Sequence, residues 1–495
     1  MDRETLLRLA DDCERAAAEA FRRIDRTAAA VTAKVMEAFR RNRLSASHFA
    51  GGSGYGYDDM GRDLCDRLFA DCMDADAGFA RHSITSGTHA IAIGLYALLR
   101  PGDTLYSVTG RPYDTLEGII GIGGAGAGQG SLADYGVAYR ETALDAASGI
   151  DLAEVRRVLE ADRTVKVVFV QRSKGYQDRR TLPVREIDEL YGLVKSVSDA
   201  YVVVDNNYGE FCEIREPKGD LLCGSLIKNA GGGIAECGGY LVGSAKAVEL
   251  AAYRMTVPGI GAEAGSSVGQ NKNLIKGLFY APHTVAQALK TAVFAAGLFE
   301  ALGFDVYPKA DEPRYDIIQM LYLKDRERLV KFCQAIQRYS PVDSFALPVP
   351  DAMPGYADEV IMAAGTFTQG SSIELSADAP LRDIVYVCVW SLLALTLIAI
   401  AGGAKRELMD KPISQQLAAV MESRSVYRQE SGGSSMPVVA DDEKYCVSIA
   451  APVISEGDLM GCVLLLTEDG APALDEAEQK LVQTVAGFLG RQMES

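Results

Sequence analysis

The sequence predicts an α/β protein: a large domain built on a mostly parallel sheet covered on both faces, a smaller α+β domain, and a further α+β module at the C-terminus. Three observations lead there. The apolar runs VKVVFVQRS (165–173) and YVVVDNN (201–207) alternate with helical segments at 151–160 and 182–197, the pattern of doubly buried strands joined by crossover helices. From about 265 to 380 the pattern changes to one long helix of mostly small apolar residues, about 283–302, followed by further strands and helices. At 495 residues the chain is also too long for one ordinary core. The divisions read along it are an N-terminal helical arm and loop (1–65), a large domain (66–265), a small domain (266–383), a junction (384–405) and a C-terminal domain (406–495) whose first element starts near 394.

Composition narrows the function classes. Apolar residues at 48% and charged residues at 24% are ordinary for a soluble globular chain. A net charge of −17 disfavours nucleic acid as a partner, because phosphate binding needs clustered positive charge. Ten cysteines without CxxC pairs, and only four histidines, form no metal or disulfide framework, so no metal is expected and the thiols read as free. The chain opens directly into a charged helix, so the cytoplasm is the expected location. Ile384 to Gly403 carries no charge over the length of a membrane span. Its β-branched start, Trp390, Ser391 and closing glycines equally suit a buried element at a domain junction, and no membrane partner is expected.

Taken in order, residues 3–40 carry apolar positions at helical spacing, a long amphipathic arm. Glycines and tyrosines at 48–63 then form a loop before a helix containing Leu64, Leu68 and Phe69. Ser86, Gly87 and Thr88 open an apolar helix, either an ordinary cap or an anion cradle of free N–H groups. Tyr113 stands near the start of the next helix, as core packing or as a flat surface for a ring. Arg172 and Ser173 at the end of one strand, and Asp205 at the end of the next, face one crevice, where open α/β sheets bind ligands. Arg172 and Ser173 either hold ligand oxygens or make a structural salt bridge. Asp205 is a loop acid or a partner for a pyridinium nitrogen. Lys228, between a serine and a glycine run, is a solvated loop residue or an amine able to condense with an aldehyde; the last two options together are what pyridoxal phosphate needs.

The segments SGTHAI, TGRPYDTLEG, VQRSKGY, VVVDNNYGEF and SLIKNAGGGIAECGGYLVG, in that order, resemble the methionine gamma-lyase-like family, also labelled aluminium resistance proteins. That family is similar to the cystathionine gamma-lyase branch of fold-type I pyridoxal phosphate enzymes, and the resemblance covers about residues 1–382. It implies a fold-type I transferase-like large domain, pyridoxal 5'-phosphate as cofactor, Lys228 as its covalent anchor and Asp205 at its ring nitrogen. It further implies that Ser86, Gly87, Thr88 and Ser225 hold the phosphate and that Tyr113 stacks on the ring and takes part in catalysis. Arg382, in the family-like phrase GTFTQGSSIELSADAPLR, becomes the candidate grip on a substrate carboxylate, a surface arginine being the other reading. Tyr57 matches a tyrosine that reaches the neighbouring subunit's cofactor phosphate. The arginine expected two residues on is Asp59 here, with Arg62 as a displaced substitute. The implied activity is carbon–sulfur lyase action, by β- or γ-elimination, on a sulfur-containing amino acid in a homodimer or homotetramer. Aminotransferase or aldolase chemistry is the alternative, and a non-catalytic sporulation-linked relic is the rival.

Past Arg382 the end of a lyase small domain is not recognisable. Residues from about 394 to 495 instead resemble the C-terminal GAF-like domain of stage V sporulation protein T. That resemblance implies ligand sensing or dimerisation through a helix from about Asp475 to Met493, with Leu481, Val485, Phe488 and Leu489 on its apolar face. An accidental fusion near 383 is a further reading.

Overall fold

The computed structural model describes residues 3–382, 386–390, 414–429, 436–439, 442–455 and 458–468, with a few helical positions between 479 and 486. The chain forms two compact units, Met1–Gly402 and Gly403–Ser495.

In the first unit, a seven-stranded sheet carries β1 (Ala77–Arg81), β2 (Thr104–Ser107), β3 (Ala138–Glu141), β4 (Val165–Gln171), β5 (Tyr201–Asp205), β6 (Leu221–Ser225) and β7 (Gly239–Gly243). Their spatial order is β1-β7-β6-β5-β4-β2-β3. Strands β2 to β6 pair in parallel, and β7 runs antiparallel to both its neighbours. The unbroken valine run of β5 follows from having a core on each side. Val202 and Val204 enter one core with Val168 and Val170 of β4; Val203 enters the other with Val167 and Phe169. All seven are fully buried, each contributing roughly 1.5–3 kcal/mol of apolar transfer.

The helices are α1 (Arg3–Arg41), α2 (Met60–Cys72), α3 (Gly87–Leu98), α4 (Asp114–Ile120), α5 (Leu152–Ala161), α6 (Val184–Val197), α7 (Ala245–Met255), α8 (Asn271–Ala301) and α9 (Arg326–Arg338). The arm α1 lies along α8, sharing a core through Val31, Val35 and Ala38 and an ion pair between Asp25 and Lys290. Helix α8 begins earlier than the sequence predicts and carries Pro282 inside it. Asn271 anchors its start, donating to Asp59 Oδ1 at 3.0 Å and to the Ala50 carbonyl at 3.1 Å.

A second, fully antiparallel sheet holds β8 (Asp305–Tyr307), β9 (Gln319–Tyr322), β10 (Val360–Ala363), β11 (Ser376–Pro380) and β12 (Tyr386–Trp390), in the order β10-β11-β12-β9-β8. Its core gathers Leu321, Ile361, Ala377 and Val387 beneath Leu329 and Cys333 of α9. Of the apolar stretch Ile384 to Gly403, Tyr386–Trp390 is therefore a sheet strand, and the rest lies outside the described residues. Among the described residues no helix is long and apolar enough to cross a membrane.

The second unit contains α10 (Gln415–Glu422) and β13 (Tyr427–Arg428), β14 (Pro437–Val439), β15 (Asp442–Ser455) and β16 (Asp458–Glu468). Strand β15 pairs antiparallel with the other three. The apolar positions expected on a terminal helix, Leu481, Val485, Phe488 and Leu489, lie outside the described residues.

Candidate active site

The carboxyl ends of β4, β5 and β6 and the start of α3 converge on one pocket. Thr88, Tyr113, Asp205, Asn207, Tyr208 and Lys228 are among its lining. A parallel sheet places strand-end residues together in this way, because every loop after a parallel strand leaves from the same edge.

Asp205 ends β5 and is buried. Burial raises its carboxyl above the ordinary range, opposed by hydrogen bonds from Asn207 and by the nearby Lys228 charge. Asn207 is the residue that sequence reasoning missed. Its amide donates to Asp205 Oδ1 at 2.7 Å, and its own oxygen accepts the Ser225 N–H at 3.0 Å. A Cβ on Gly87 would stand 2.7 Å from that oxygen, so glycine is what lets α3 approach. One amide thus ties together β5, β6 and the start of α3.

Lys228 follows β6 at the entry to a short 3-10 turn, Asn229–Gly231. Its ammonium sits 4.0 Å from the centre of the Tyr208 ring. Burial favours the neutral amine, but the Tyr208 hydroxyl, Asp205 and Glu210 outweigh it and leave the group raised. Glu210 itself is buried, pushed up to about 8 by desolvation, and takes a hydrogen bond from Tyr240 at 2.8 Å. Tyr208 adopts φ +71°, a left-handed conformation uncommon for an aromatic residue. That turn carries its ring under the lysine.

Ser86 caps α3, accepting the His89 N–H at 3.0 Å. Thr88 bonds through its hydroxyl to Thr115 at 2.7 Å. The Ser225 hydroxyl is buried and has no hydrogen-bond partner among the described residues. An orphaned buried hydroxyl is costly, and beside a helix N-terminus it fits a phosphate oxygen.

Tyr113 stacks on Tyr176 with ring centres 5.6 Å apart, and its hydroxyl meets Tyr356 at 2.8 Å. Tyr176 in turn donates to Asp378 Oδ1 at 2.7 Å, and Ser376 donates to the other oxygen. Desolvation pushes Asp378 up to about 7, against those two bonds and the Lys228 charge. Tyr356 and Asp378 belong to the second sheet and its loops, and they too escaped sequence reasoning. Outside Tyr113 a cleft of about 620 Å³ opens, with Gln171, Tyr356 and Arg382 among its lining.

Several expected ligand contacts are otherwise engaged. Arg172 is fully buried, its guanidinium bound to Glu216 at 3.0 Å, Glu213 at 2.9 Å and Asn206 at 2.8 Å, so it is an internal ion pair and not a free grip. Ser173 lines the pocket but donates to Asp316 at 2.8 Å. Arg382 faces the cleft paired with Asp114 and, at 2.7 Å, with Asp358. Tyr57 is well exposed, its ring tilted 35° against Tyr55 with centres 5.8 Å apart, and it does not line this pocket. Asp59 caps α2 and takes hydrogen bonds from Ser267 and Asn271, which together with backbone donors hold its carboxyl down to about 2 despite burial. Arg62 is buried; its Nη1 holds the carbonyls of Gly56 and Gly265, and its Nε and Nη2 donate to Asp63 Oδ1 at 3.0 and 2.8 Å, which leaves it no fork for a phosphate.

The family model for methionine gamma-lyase matches residues 6–402, twenty residues beyond the resemblance read from the sequence. The model for the stage V sporulation protein T C-terminal region, a transcription factor module, matches 395–494. The Bacillus subtilis protein YnbB is 49% identical over 360 residues, 72% of this chain and 85% of its own. A carbon-sulfur lyase involved in aluminium resistance from Clostridium novyi NT has a solved structure that is 41% identical with a TM-score of 0.76, covering 80% of this chain and 96% of that one. The pyridoxal-5'-phosphate dependent protein YhfS of Escherichia coli shares the fold at 16% identity and a TM-score of 0.51, over 76% of this chain and 97% of its own. With four-fifths of its length matched by one model and a strand-end pocket built around Asp205 and Lys228, the chain belongs to the methionine gamma-lyase family.

Proposed function

We propose that the chain is a pyridoxal phosphate-dependent carbon–sulfur lyase acting on a small sulfur-containing amino acid by β- or γ-elimination. One observation carries this reading: Lys228, Asp205 and Asn207 line a single pocket at the start of α3, and Asn207 accepts the N–H of Ser225, whose buried hydroxyl has no partner among the described residues. Ser225, with the N–H groups of Gly87 and Thr88, would hold the cofactor phosphate. Asp205, oriented by Asn207, would face the ring nitrogen, and Tyr113 would cover the ring. When bound, the cofactor supplies an electron sink for the pair released as the substrate's α-proton leaves.

The remaining work falls to side chains. Lys228 anchors the cofactor and, once displaced, its amine moves the α-proton, so its amine must lose the proton that Tyr208 and Asp205 favour. Arg382 orients the substrate carboxylate from the cleft, exchanging one of its aspartates for it. The paired tyrosines Tyr113 and Tyr356 keep water from the reacting carbon and hold a proton for the leaving thiolate.

The loop bearing Tyr55 and Tyr57 supports assembly as a homodimer or homotetramer, since two neighbouring exposed tyrosines are surface that a second subunit would cover. The second unit would serve as a GAF-like sensory or dimerisation module. The nine cysteines whose side chains are described form no disulfide, consistent with a cytoplasmic setting.

The test is the visible spectrum of the protein loaded with pyridoxal phosphate, before and after borohydride, with peptide mapping. An absorption band lost on reduction, with the label on Lys228, supports the reading, and Lys228→Ala abolishes both. Release of thiol, ammonia and an oxo acid from sulfur amino acids then identifies a lyase; a pyridoxamine product identifies an aminotransferase instead.

A further inference from the structure

Away from the strand-end pocket, a cavity of about 500 Å³ opens between α1, α8, the start of α6 and the segments 212–215 and 312–315. Arg23, Arg185, Arg215 and Arg314 line it, against only Glu213 and Glu312. In a chain of net charge −17 such a concentration of arginine is unusual.

Both carboxylates have other duties. Glu213 binds Arg172 at 2.9 Å and the Val184 N–H at 2.9 Å, and Glu312 accepts the Lys309 N–H at 2.6 Å. Arg215 pairs outside the cavity with Asp188, and Arg185 reaches no nearer than 3.9 Å to Glu186. Among the described residues, Arg23 and Arg314 have no carboxylate within ion-pair distance. Arg314 is bound only by neutral oxygens: Gln319 Oε1 at 2.5 Å and the carbonyls of Ala292, Pro308 and Ile318 at 3.3–3.5 Å. Its Nε is enclosed and has no hydrogen-bond partner among the described residues. Burial pushes this guanidinium down to about 10, against the opposing charges of Asp316 and Glu312.

We propose that this cavity is a binding site for a small dianion bearing phosphate or carboxylate oxygens, seated on Arg314 and gripped at the rim by Arg23 and Arg185. The arginine fork matches such oxygens two at a time. A volume of this size suits a metabolite, not a macromolecule. An anion there adds counter-charge beside Arg23 and Arg314, neither of which has an ion-pair partner among the described residues. Its floor is the Cys212–Glu213 segment, which leads back through the Cys212 thiol, 3.4 Å from the Tyr208 carbonyl, towards the lysine pocket. This assignment does not depend on the lyase reading.

The experiment is calorimetric titration of the full chain, saturated with pyridoxal phosphate so that its phosphate cradle is filled, with inorganic phosphate and with succinate at ionic strength held constant by potassium chloride. Saturable binding of either anion at one site per chain is expected, weakened at least tenfold in R314Q and in the double variant R23Q/R185Q. The rim arginines are exposed, so the double variant keeps its fold even where R314Q does not. No saturable binding of either anion to the wild type, or wild-type affinity in the double variant, overturns the proposal. So does a change in the cofactor's visible band that tracks phosphate binding equally in wild type and double variant, since that anion would be in the catalytic pocket.

Discussion

Replacing Asp378 by asparagine isolates the cost of holding a carboxyl between the two sheets. Asp378 is 3% exposed and its carboxyl is pushed from 3.8 up to about 7. A raised acid favours the fold while it is protonated; its contribution is complete below about pH 3.8 and is lost as pH rises towards 7. Three units at about 1.4 kcal/mol each make the loss roughly 4 kcal/mol. Asparagine keeps the shape and the acceptor for Tyr176 but never ionises. The wild type is therefore expected to lose about 4 kcal/mol relative to Asp378→Asn between pH 4 and pH 8. Glu210, also raised, contributes to both proteins and cancels in the difference. Urea unfolding followed by tryptophan fluorescence reads this directly, because the single tryptophan, Trp390, lies on β12 opposite Ser376 of β11. A difference that stays flat across that range would refute the buried-carboxyl argument.

Further outcomes follow from the same geometry. Ser225→Ala should loosen cofactor binding about tenfold, from the loss of a hydrogen bond to a charged group; equilibrium dialysis that finds unchanged affinity would remove Ser225 from the phosphate cradle. Arg172→Met leaves Glu213 and Glu216 without their counter-charge, and thermal or urea unfolding should show a loss of about 3–5 kcal/mol. A change below about 1 kcal/mol would mean that the pair is not coupled to the fold. Because the first compact unit ends at Gly402, a chain of residues 1–402 should retain the Lys228-linked absorption band, and its absence would make the second unit part of the cofactor site.

The parts that could be read from sequence are those determined by neighbours in the chain. The valine runs of β4 and β5 announce themselves because each successive residue feeds an alternate core. Asp205, Ser225 and Lys228 fall at strand ends within 24 positions of one another, and their segments carry the family resemblance. What escaped depends on distant partners. Tyr176 and Asp378 are 202 residues apart, and no local pattern marks their contact. Arg172 looked available because the acids that neutralise it stand 41 and 44 residues further on. The run of small apolar residues predicts α8 only from about 283, whereas the helix starts at Asn271; Pro282 is tolerated inside it since its missing N–H costs one bond in a helix otherwise held by its packing on α1.

The seam between the two sheets has a dynamic consequence. Tyr113 to Tyr356, Tyr176 to Asp378, Ser173 to Asp316 and Arg382 to Asp114 all cross it. A hinge movement that swings the second sheet outward to admit an amino acid has to break these bonds together, in one cooperative step. Because Asp378 ionises near neutrality, the strength of that clasp depends on pH. The rate at which substrate enters and product leaves is then tied to the protonation of a residue that need never touch either one.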